Sequence, residues 1–456
     1  MNTISGSRAW ELDRDHLLHP YTDFSKFRDE GSQVISRAEG MYVSDDTGAD
    51  FLDGIAGLWC VNIGHGRREM AEAIAEQVMK VEYYNPFGHS TNEPAAELGG
   101  WLAEHAPGSL DPVYYTCGGS PATDAPVRLR HYYNTLRGLH RKKKIISRNE
   151  AYHGATYVAA ELTGIHATKN SFDRIGQEFI HHVSAANMYA KPEAMSEGEY
   201  CDYLVDEFEQ RIHQLGPDNV AAFIAEPVMG AGGVLVAPEG YHRRMWEVCK
   251  RYDMLYIADE VVTAFGRLGH WFASEAVFDY QPDILVSAKG ITSGYIPLGA
   301  TLISDEIYEV ISKPQSQGGV FTMGLTYFGH PVACRAALKN IEIMDRENLC
   351  DNAADVGAYF QSTAQSLMNA PLVGDVRGQG LMLAVDLVGD KQAKTGLPLD
   401  VGAGDRVFRK CLERGVIVRP VGDRLVLSPP LIIDREQVDT IVSAVSEAVT
   451  ELHAEL

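Results

Sequence analysis

Short apolar runs alternate with longer stretches whose apolar positions recur at helical spacing through the middle of the chain. Strands are predicted at 113–117, 145–147, 221–225 (AAFIA), 255–258 (LYIA), 284–287 (ILVS) and 299–303. The segments between them read as helices. An example is 240–252, with Met245, Trp246, Val248 and Cys249 on one side. Strands that are apolar throughout, rather than alternating, are buried on both faces, and helix-length connections between them imply a mostly parallel sheet. The C-terminal part has a different rhythm. Helices are predicted at 331–348, 353–368, 404–414 and 435–453, and strands at 373–377 and 381–387. Two further strands, 416–418 and 424–427, are expected to pair as a hairpin around Gly422-Asp423. The predicted fold class is therefore α/β: a large, mostly parallel-sheet domain (56–325) followed by a smaller α+β domain (326–456). The first segment (1–55), with a strand at 41–44, is expected to pack with the small domain.

Composition narrows the function classes. The chain has 456 residues and needs no staple to bury a core. Its formal net charge of −22 is opposite to what nonspecific nucleic-acid binding requires. The one basic run, Arg141-Lys142-Lys143-Lys144, reads as a solvated connection between helix and strand. Cysteine is found at seven scattered positions with no CxxC, which predicts neither a disulfide framework nor a metal site and suits a reducing compartment. Glu11, Asp13, Arg14 and Asp15 interrupt the N-terminal segment where a signal peptide would be apolar. No run approaches the roughly 18 apolar residues of a membrane helix. A cytoplasmic protein is expected.

Three ionisable residues share one address. Glu226 follows AAFIA, Asp259 follows LYIA, and Lys289 follows ILVSA, so each lies just past the carboxyl end of a predicted strand. Open α/β sheets bind ligands at those ends. A desolvated lysine has a lowered pKa and becomes a nucleophile toward an aldehyde, forming a Schiff base. A carboxylate such as Asp259 keeps the ring nitrogen of pyridoxal phosphate protonated, so that the ring can accept electrons. The other reading of Asp259 and Lys289 is a structural salt bridge. Gly118-Gly119-Ser120, after a predicted strand, offers a glycine turn at a helix start for a phosphate. Pro121 and Pro126 complicate that helix, which is expected either to begin effectively at Asp124 or to kink. Gly230-Ala231-Gly232-Gly233 lacks GxGxxG spacing and is not a dinucleotide loop.

Taken together, these motifs resemble those of the class III aminotransferases, pyridoxal-phosphate enzymes of fold type I, in particular the ω-amine:pyruvate branch. The matching segments are Gly54-Ile55-Ala56-Gly57-Leu58-Trp59, Tyr152-His153-Gly154, Glu226-Pro227-Val228, Asp259-Glu260-Val261, Ala288-Lys289-Gly290 and Leu325-Thr326-Tyr327-Phe328-Gly329-His330-Pro331. The resemblance implies that Lys289 bonds to the cofactor and shuttles the proton, and that Asp259 is the pyridinium partner. It places Tyr152 and Val261 on the two ring faces, Gly119 and Ser120 at the phosphate, and Glu226 near cofactor and substrate. It implies a homodimer with sites at the interface, in which Thr326 reaches the phosphate of the partner subunit's cofactor. Arg419 matches a mobile arginine that binds a keto-acid carboxylate and swings away for an uncharged amine. Trp59, Phe87 and Ala231 match positions lining the substrate pocket, and their sizes suggest an apolar pocket for a bulky or aromatic amine. His153 and His330 are read as structural hydrogen-bonders. The expected activity is transfer of an amino group from an amine or ω-amino acid to a keto acid such as pyruvate. An aminomutase or decarboxylase on the same fold, or a cofactor-free Schiff-base lyase, are the alternatives.

Overall fold

The computed structural model describes residues 6–313 and 320–456. A seven-stranded sheet forms the centre, in the spatial order Leu110–Thr116, Gly299–Ser304, Ile284–Ser287, Leu255–Asp259, Val220–Ala225, Lys144–Arg148, Ile180–Val183. Gly299–Ser304 runs antiparallel to both neighbours, and the remaining pairings are parallel. The period of two that brings successive side chains to opposite faces is plain in Val220–Ala225. Phe223 and Ala225 pack with Phe208, Met245 and Tyr256 on one face, whereas Ala222 and Ile224 pack with Val127, Leu129 and Ile257 on the other. Both faces are covered, which is why Val220–Ala225 is apolar at every position.

Two predicted elements shift for identifiable reasons. The first strand begins at Leu110 rather than Val113 and includes Pro112. It is the edge of the sheet, where a missing N–H costs no ladder bond. Ile180–Val183 is a strand that the sequence pattern does not announce, because His181 and His182 interrupt its apolar run.

The helix after the glycine turn Gly118-Gly119 is the larger correction. It runs unbroken from Gly119 to Leu136 with Pro126 inside it, neither delayed to Asp124 nor split. Proline at 126 has no N–H for the carbonyl of Ala122. Thr301 Oγ1, from the neighbouring strand, donates to that carbonyl at 2.8 Å. The sheet thus replaces the bond that the helix lacks.

A second sheet has the order Val373–Gln379, Met382–Leu387, Arg424–Leu427, Arg419–Val421. The expected hairpin is real, but its members differ. Arg424–Leu427 pairs with Arg419–Val421, while Val416–Ile417 leaves to lie parallel to Asp50–Asp53 in the N-terminal sheet. Arg419, expected in a loop, therefore begins an edge strand. Pro420 is admissible there for the same reason as Pro112.

Among the buried polar groups, His242 ties the central sheet to the helix Tyr241–Arg251. Its Nε2–H donates to the Pro227 carbonyl at 2.9 Å, and the Tyr256 hydroxyl donates to Nδ1 at 2.8 Å. That pattern needs the neutral ring, and burial pushes its pKa from 6.5 down to about 3. The unfolded chain takes up a proton near pH 6.5 that the folded chain refuses until about 3. Stability present above the higher value is accordingly lost as pH falls between the two, at a slope of up to about 1.4 kcal/mol per pH unit for one such group. Urea midpoints should fall between pH 6.5 and 5, and His242→Gln should flatten that dependence; an unchanged slope in the variant would assign the acid sensitivity elsewhere.

Candidate active site

The strand register brings the predicted carboxylates together. Ala258 is level with Ala225, so Asp259 and Glu226 leave adjacent strands side by side. Asp259 is also level with Val286, three residues before Lys289. The chain turns sharply after Ile284–Ser287, and Lys289 adopts φ +46°, in the left-handed region that costs a lysine roughly 1–3 kcal/mol and is found chiefly at functional sites. Burial pushes the Lys289 amine below the ordinary lysine range, with Asp259 and Glu226 pulling the other way. Among the described residues Lys289 forms no ion pair with Asp259, which removes the structural salt bridge as the reason for the pairing. Cys60 and Arg419 also face this amine.

Each carboxylate is held by the loop that carries Tyr152. Asp259, 4% exposed, accepts from His153 Nδ1–H at 2.7 Å and from the Val261 N–H at 3.1 Å. Glu226 accepts from the Tyr152 N–H at 3.0 Å through one oxygen and from the Gly230 N–H at 2.9 Å through the other. Burial raises the Glu226 pKa; Asp259 adds to the rise, and His153 and these two N–H groups oppose it. Arg148, buried, donates to the Glu226 carbonyl at 2.6 Å.

The turn expected to hold a phosphate lies beside these groups. The helix begins at Gly119 with no side-chain cap, leaving first-turn N–H groups available. A Cβ on Gly119 would lie 3.4 Å from Val261 and 3.7 Å from Ala288, so the turn abuts both the predicted ring-face residue and the neighbour of Lys289. Ser120 Oγ accepts from the Ala155 N–H at 3.0 Å, and Gly154 has φ +138° with room for no Cβ against Ser120.

The far side of the site consists of Trp59, Tyr21, Tyr152, Arg419 and the turn containing Ala231. A Cβ on Gly230 would be 3.8 Å from the Trp59 ring and from Glu226, which places that turn against Trp59. The Tyr21 hydroxyl lies 3.4 Å from that of Tyr152. Arg419 is half-buried near both tyrosines, its pKa lowered by that burial, and it has no carboxylate partner among the described residues. The turn at Ala231 is clamped from the C-terminal sheet. Arg377 Nε and Nη2 donate to the Gly233 carbonyl at 2.9 and 2.7 Å, and Arg424 Nη1 donates to that of Gly232 at 2.5 Å. Asp386 accepts from both arginines at 2.6–3.0 Å. Burial would raise the Asp386 pKa, but the two guanidiniums outweigh it and hold the carboxylate below its usual range.

Thr326 and Phe87 are not brought to this cluster. Thr326 is exposed, and its carbonyl accepts from the Tyr83 hydroxyl at 2.8 Å. Phe87 is 55% exposed and lines a groove of about 820 Å³ with Tyr114, Phe321, Met323 and Phe328. His330 has a buried, unpartnered Nδ1 and makes ring contacts with Tyr83 and Tyr327. The sequence reading missed Tyr21, Cys60 and the Arg377–Asp386–Arg424 clamp. It named His153 without its partner, since that contact joins residues 106 positions apart.

The site fits pyridoxal phosphate on its own geometry. It has an amine without a hydrogen bond among the described residues, a buried carboxylate oriented by His153, and a glycine cradle at an uncapped helix start. Comparison with known proteins gives the same answer. The Aminotransferase class-III family profile matches residues 26–449. A putrescine–pyruvate aminotransferase of Pseudomonas aeruginosa is 40% identical over 443 residues, covering 97% of this chain and 96% of its own. A thermostable (S)-enantioselective omega-transaminase of Thermomicrobium roseum superposes with a TM-score of 0.95 at 41% identity, covering 98% of this chain and 99% of its own. An omega-transaminase of Pseudomonas jessenii, solved in complex with PMP, superposes with a TM-score of 0.95 at 38% identity, covering 98% of this chain and 99% of its own. Lys289, the two carboxylates and the glycine turn thus stand on the fold type I scaffold that these relatives share, and the chain belongs to the class III aminotransferases, whose cofactor is pyridoxal phosphate.

Proposed function

We propose that the enzyme moves an amino group from an amine or ω-amino acid to a keto acid such as pyruvate in two half-reactions at one site. The observation that carries this reading is Arg419, a half-buried cation without a carboxylate partner among the described residues, next to Lys289 and Tyr152. A decarboxylase or aminomutase has less need of a cation that is free in one half-reaction and paired in the next. A lyase without cofactor has no use for the cradle at Gly119 and Ser120.

Bound in the site, pyridoxal phosphate supplies an electron sink for the carbon that carries the amine. Gly119 and Ser120 hold its phosphate through first-turn N–H groups and the Ser120 hydroxyl. Tyr152 and Val261 flank the ring, and Glu226 fixes the Tyr152 loop by accepting its N–H. Asp259 keeps a proton on the ring nitrogen, and His153 orients Asp259. Lys289 Nζ would take the proton from the amine-bearing carbon and hand it on rather than back, so that this carbon becomes that of a ketone or aldehyde. Trp59 and Ala231 shape the apolar part of the pocket. Nitrogen balances across the cycle: the first substrate leaves as a ketone or aldehyde, and the keto acid leaves as an amino acid.

The working unit in this reading is a homodimer. The groove holding Phe87, with Phe321 and Tyr308 also exposed, is a contiguous apolar surface of the kind that a second copy covers. Thr326 and Phe87 then serve the partner subunit's site, which accounts for their distance from their own. The division into 1–55, 56–325 and 326–456, and a cytoplasmic location, belong to the same proposal. No helix among the described residues is long and apolar enough to cross a membrane.

Arg419→Ala tests the dual-substrate reading. A fixed cation facing an uncharged amine would be stranded in a desolvated pocket, whereas a movable arginine pairs with a carboxylate and otherwise withdraws. The half-reaction with pyruvate should weaken by roughly 2–5 kcal/mol at most, and that with a carboxylate-free amine much less. Stopped-flow measurement of both halves decides; equal losses would make Arg419 structural.

A further inference from the structure

The basic run read from sequence as a solvated connection is only partly one. Lys142 turns inward, donating to the Tyr252 carbonyl at 2.9 Å and lying 3.6 Å from Asp253. Arg141, Lys143 and Lys144 instead line a pocket of about 560 Å³ with His131, Phe179 and Asn219. Lys144 opens the strand Lys144–Arg148, Phe179 precedes Ile180–Val183, and Asn219 precedes Val220–Ala225. These strands are parallel, so the pocket lies at their amino ends, across the sheet from Glu226, Asp259 and Lys289.

Buried polar atoms without a partner lie in its lining and beside it. Arg130 is fully buried (0% exposed); its Nη1 donates to the Lys143 carbonyl, but Nε and Nη2 have no partner. His131 Nε2, in the lining itself, is buried and unpartnered, as is Nε2 of His181, which faces Lys144 and Arg211. One carboxylate, Glu178, lines the pocket. Asp218 precedes Asn219, and its field falls on Lys142. Among the described residues Arg141 and Lys144 form no ion pair, although the chain as a whole has an excess of acid, with 62 Asp and Glu against 40 Lys and Arg. Buried donors are ordinarily satisfied, and such a group without a partner points to a water or ion that belongs there. A cluster of this sign and donor count matches an oxyanion with several acceptor oxygens.

We propose that this pocket is a second binding site, for a small phosphate-bearing anion, separate from the cofactor's phosphate turn. Lys143, Lys144 and Arg141 supply charge, the His131 and Phe179 rings complete the lining, and the Arg130 guanidinium stands behind Lys143, bonded to its carbonyl.

Calorimetric titration of pyrophosphate into the holoenzyme tests this, with the cofactor occupying its own phosphate turn and ionic strength held constant with chloride. Saturable binding at one site per chain is expected. Arg141→Gln/Lys144→Gln should weaken it by about tenfold or more, the scale of lost charge-assisted bonds. Unchanged cofactor absorbance and melting temperature would show that this variant is folded. Glu178→Gln, which removes the opposing carboxylate, should tighten binding. A parallel titration with ADP separates sources: tighter binding than pyrophosphate identifies a nucleotide, and equal binding a free polyphosphate. Absence of saturable binding to the wild type, or equal affinity in the double variant, overturns the proposal.

Discussion

Lys289→Ala is expected to abolish turnover while leaving the fold intact. The amine sits past the carboxyl end of Ile284–Ser287 at φ +46°, and burial lowers its pKa, which raises the share of its neutral, nucleophilic form. Positioned proton transfer alone is commonly worth roughly a hundred- to ten-thousandfold, so the loss should be at least that large. Folding should be unaffected or slightly improved, since a desolvated amine and a left-handed lysine are both unfavourable for stability. Borohydride reduction of the wild type followed by peptide mapping checks the assignment directly; cofactor label on any other lysine would refute it. Partial recovery of the variant by an added small primary amine would show that the missing group, not a damaged scaffold, accounts for the loss.

Asp259→Asn should retain cofactor in part yet lose most activity, by roughly a hundredfold or more. An amide cannot hold a proton on the ring nitrogen, and in this chain it would also disturb His153. The carboxylate only accepts, so His153 donates to it through Nδ1; an amide can present its NH2 to that nitrogen and favour the other tautomer. The measurement is proton abstraction from the amine-bearing carbon in a single turnover. An unchanged rate would show that Asp259 is not the pyridinium partner.

Asp259 and Lys289 are readable from sequence because each directly follows a run, LYIA or ILVSA, that is apolar but for one serine. A charge directly after AAFIA, LYIA or ILVSA can only be at a strand end, and parallel neighbours place such ends on one edge of the sheet. Local chemistry of this kind also revealed the glycine turn at Gly118-Gly119. Contacts set by tertiary pairing were not legible. Nothing near His153 announces Asp259, and nothing near Ala231 announces Arg377 or Arg424. Arg419 reads as a loop residue because Pro420 and Gly422 follow it, and a proline-containing edge strand has the same local signature. The hairpin partner is not legible because Val416–Ile417 is as apolar as a hairpin strand would be; its neighbour in the fold, Asp50–Asp53, is supplied by the far end of the chain.

The bond from Thr301 to the Ala122 carbonyl has a consequence for how this chain tolerates change. Residue 126 can be proline at low cost only while residue 301 carries a hydroxyl. Thr301→Val, nearly the same shape, would leave a buried carbonyl without a donor at a cost of about 1–3 kcal/mol. In a background with alanine at 126, whose N–H can serve that carbonyl, the same change should be close to neutral. The two positions, 175 residues apart in sequence, are thus expected to drift as a pair: among descendants of this enzyme, loss of the proline should precede loss of the threonine, and the reverse order should be rare.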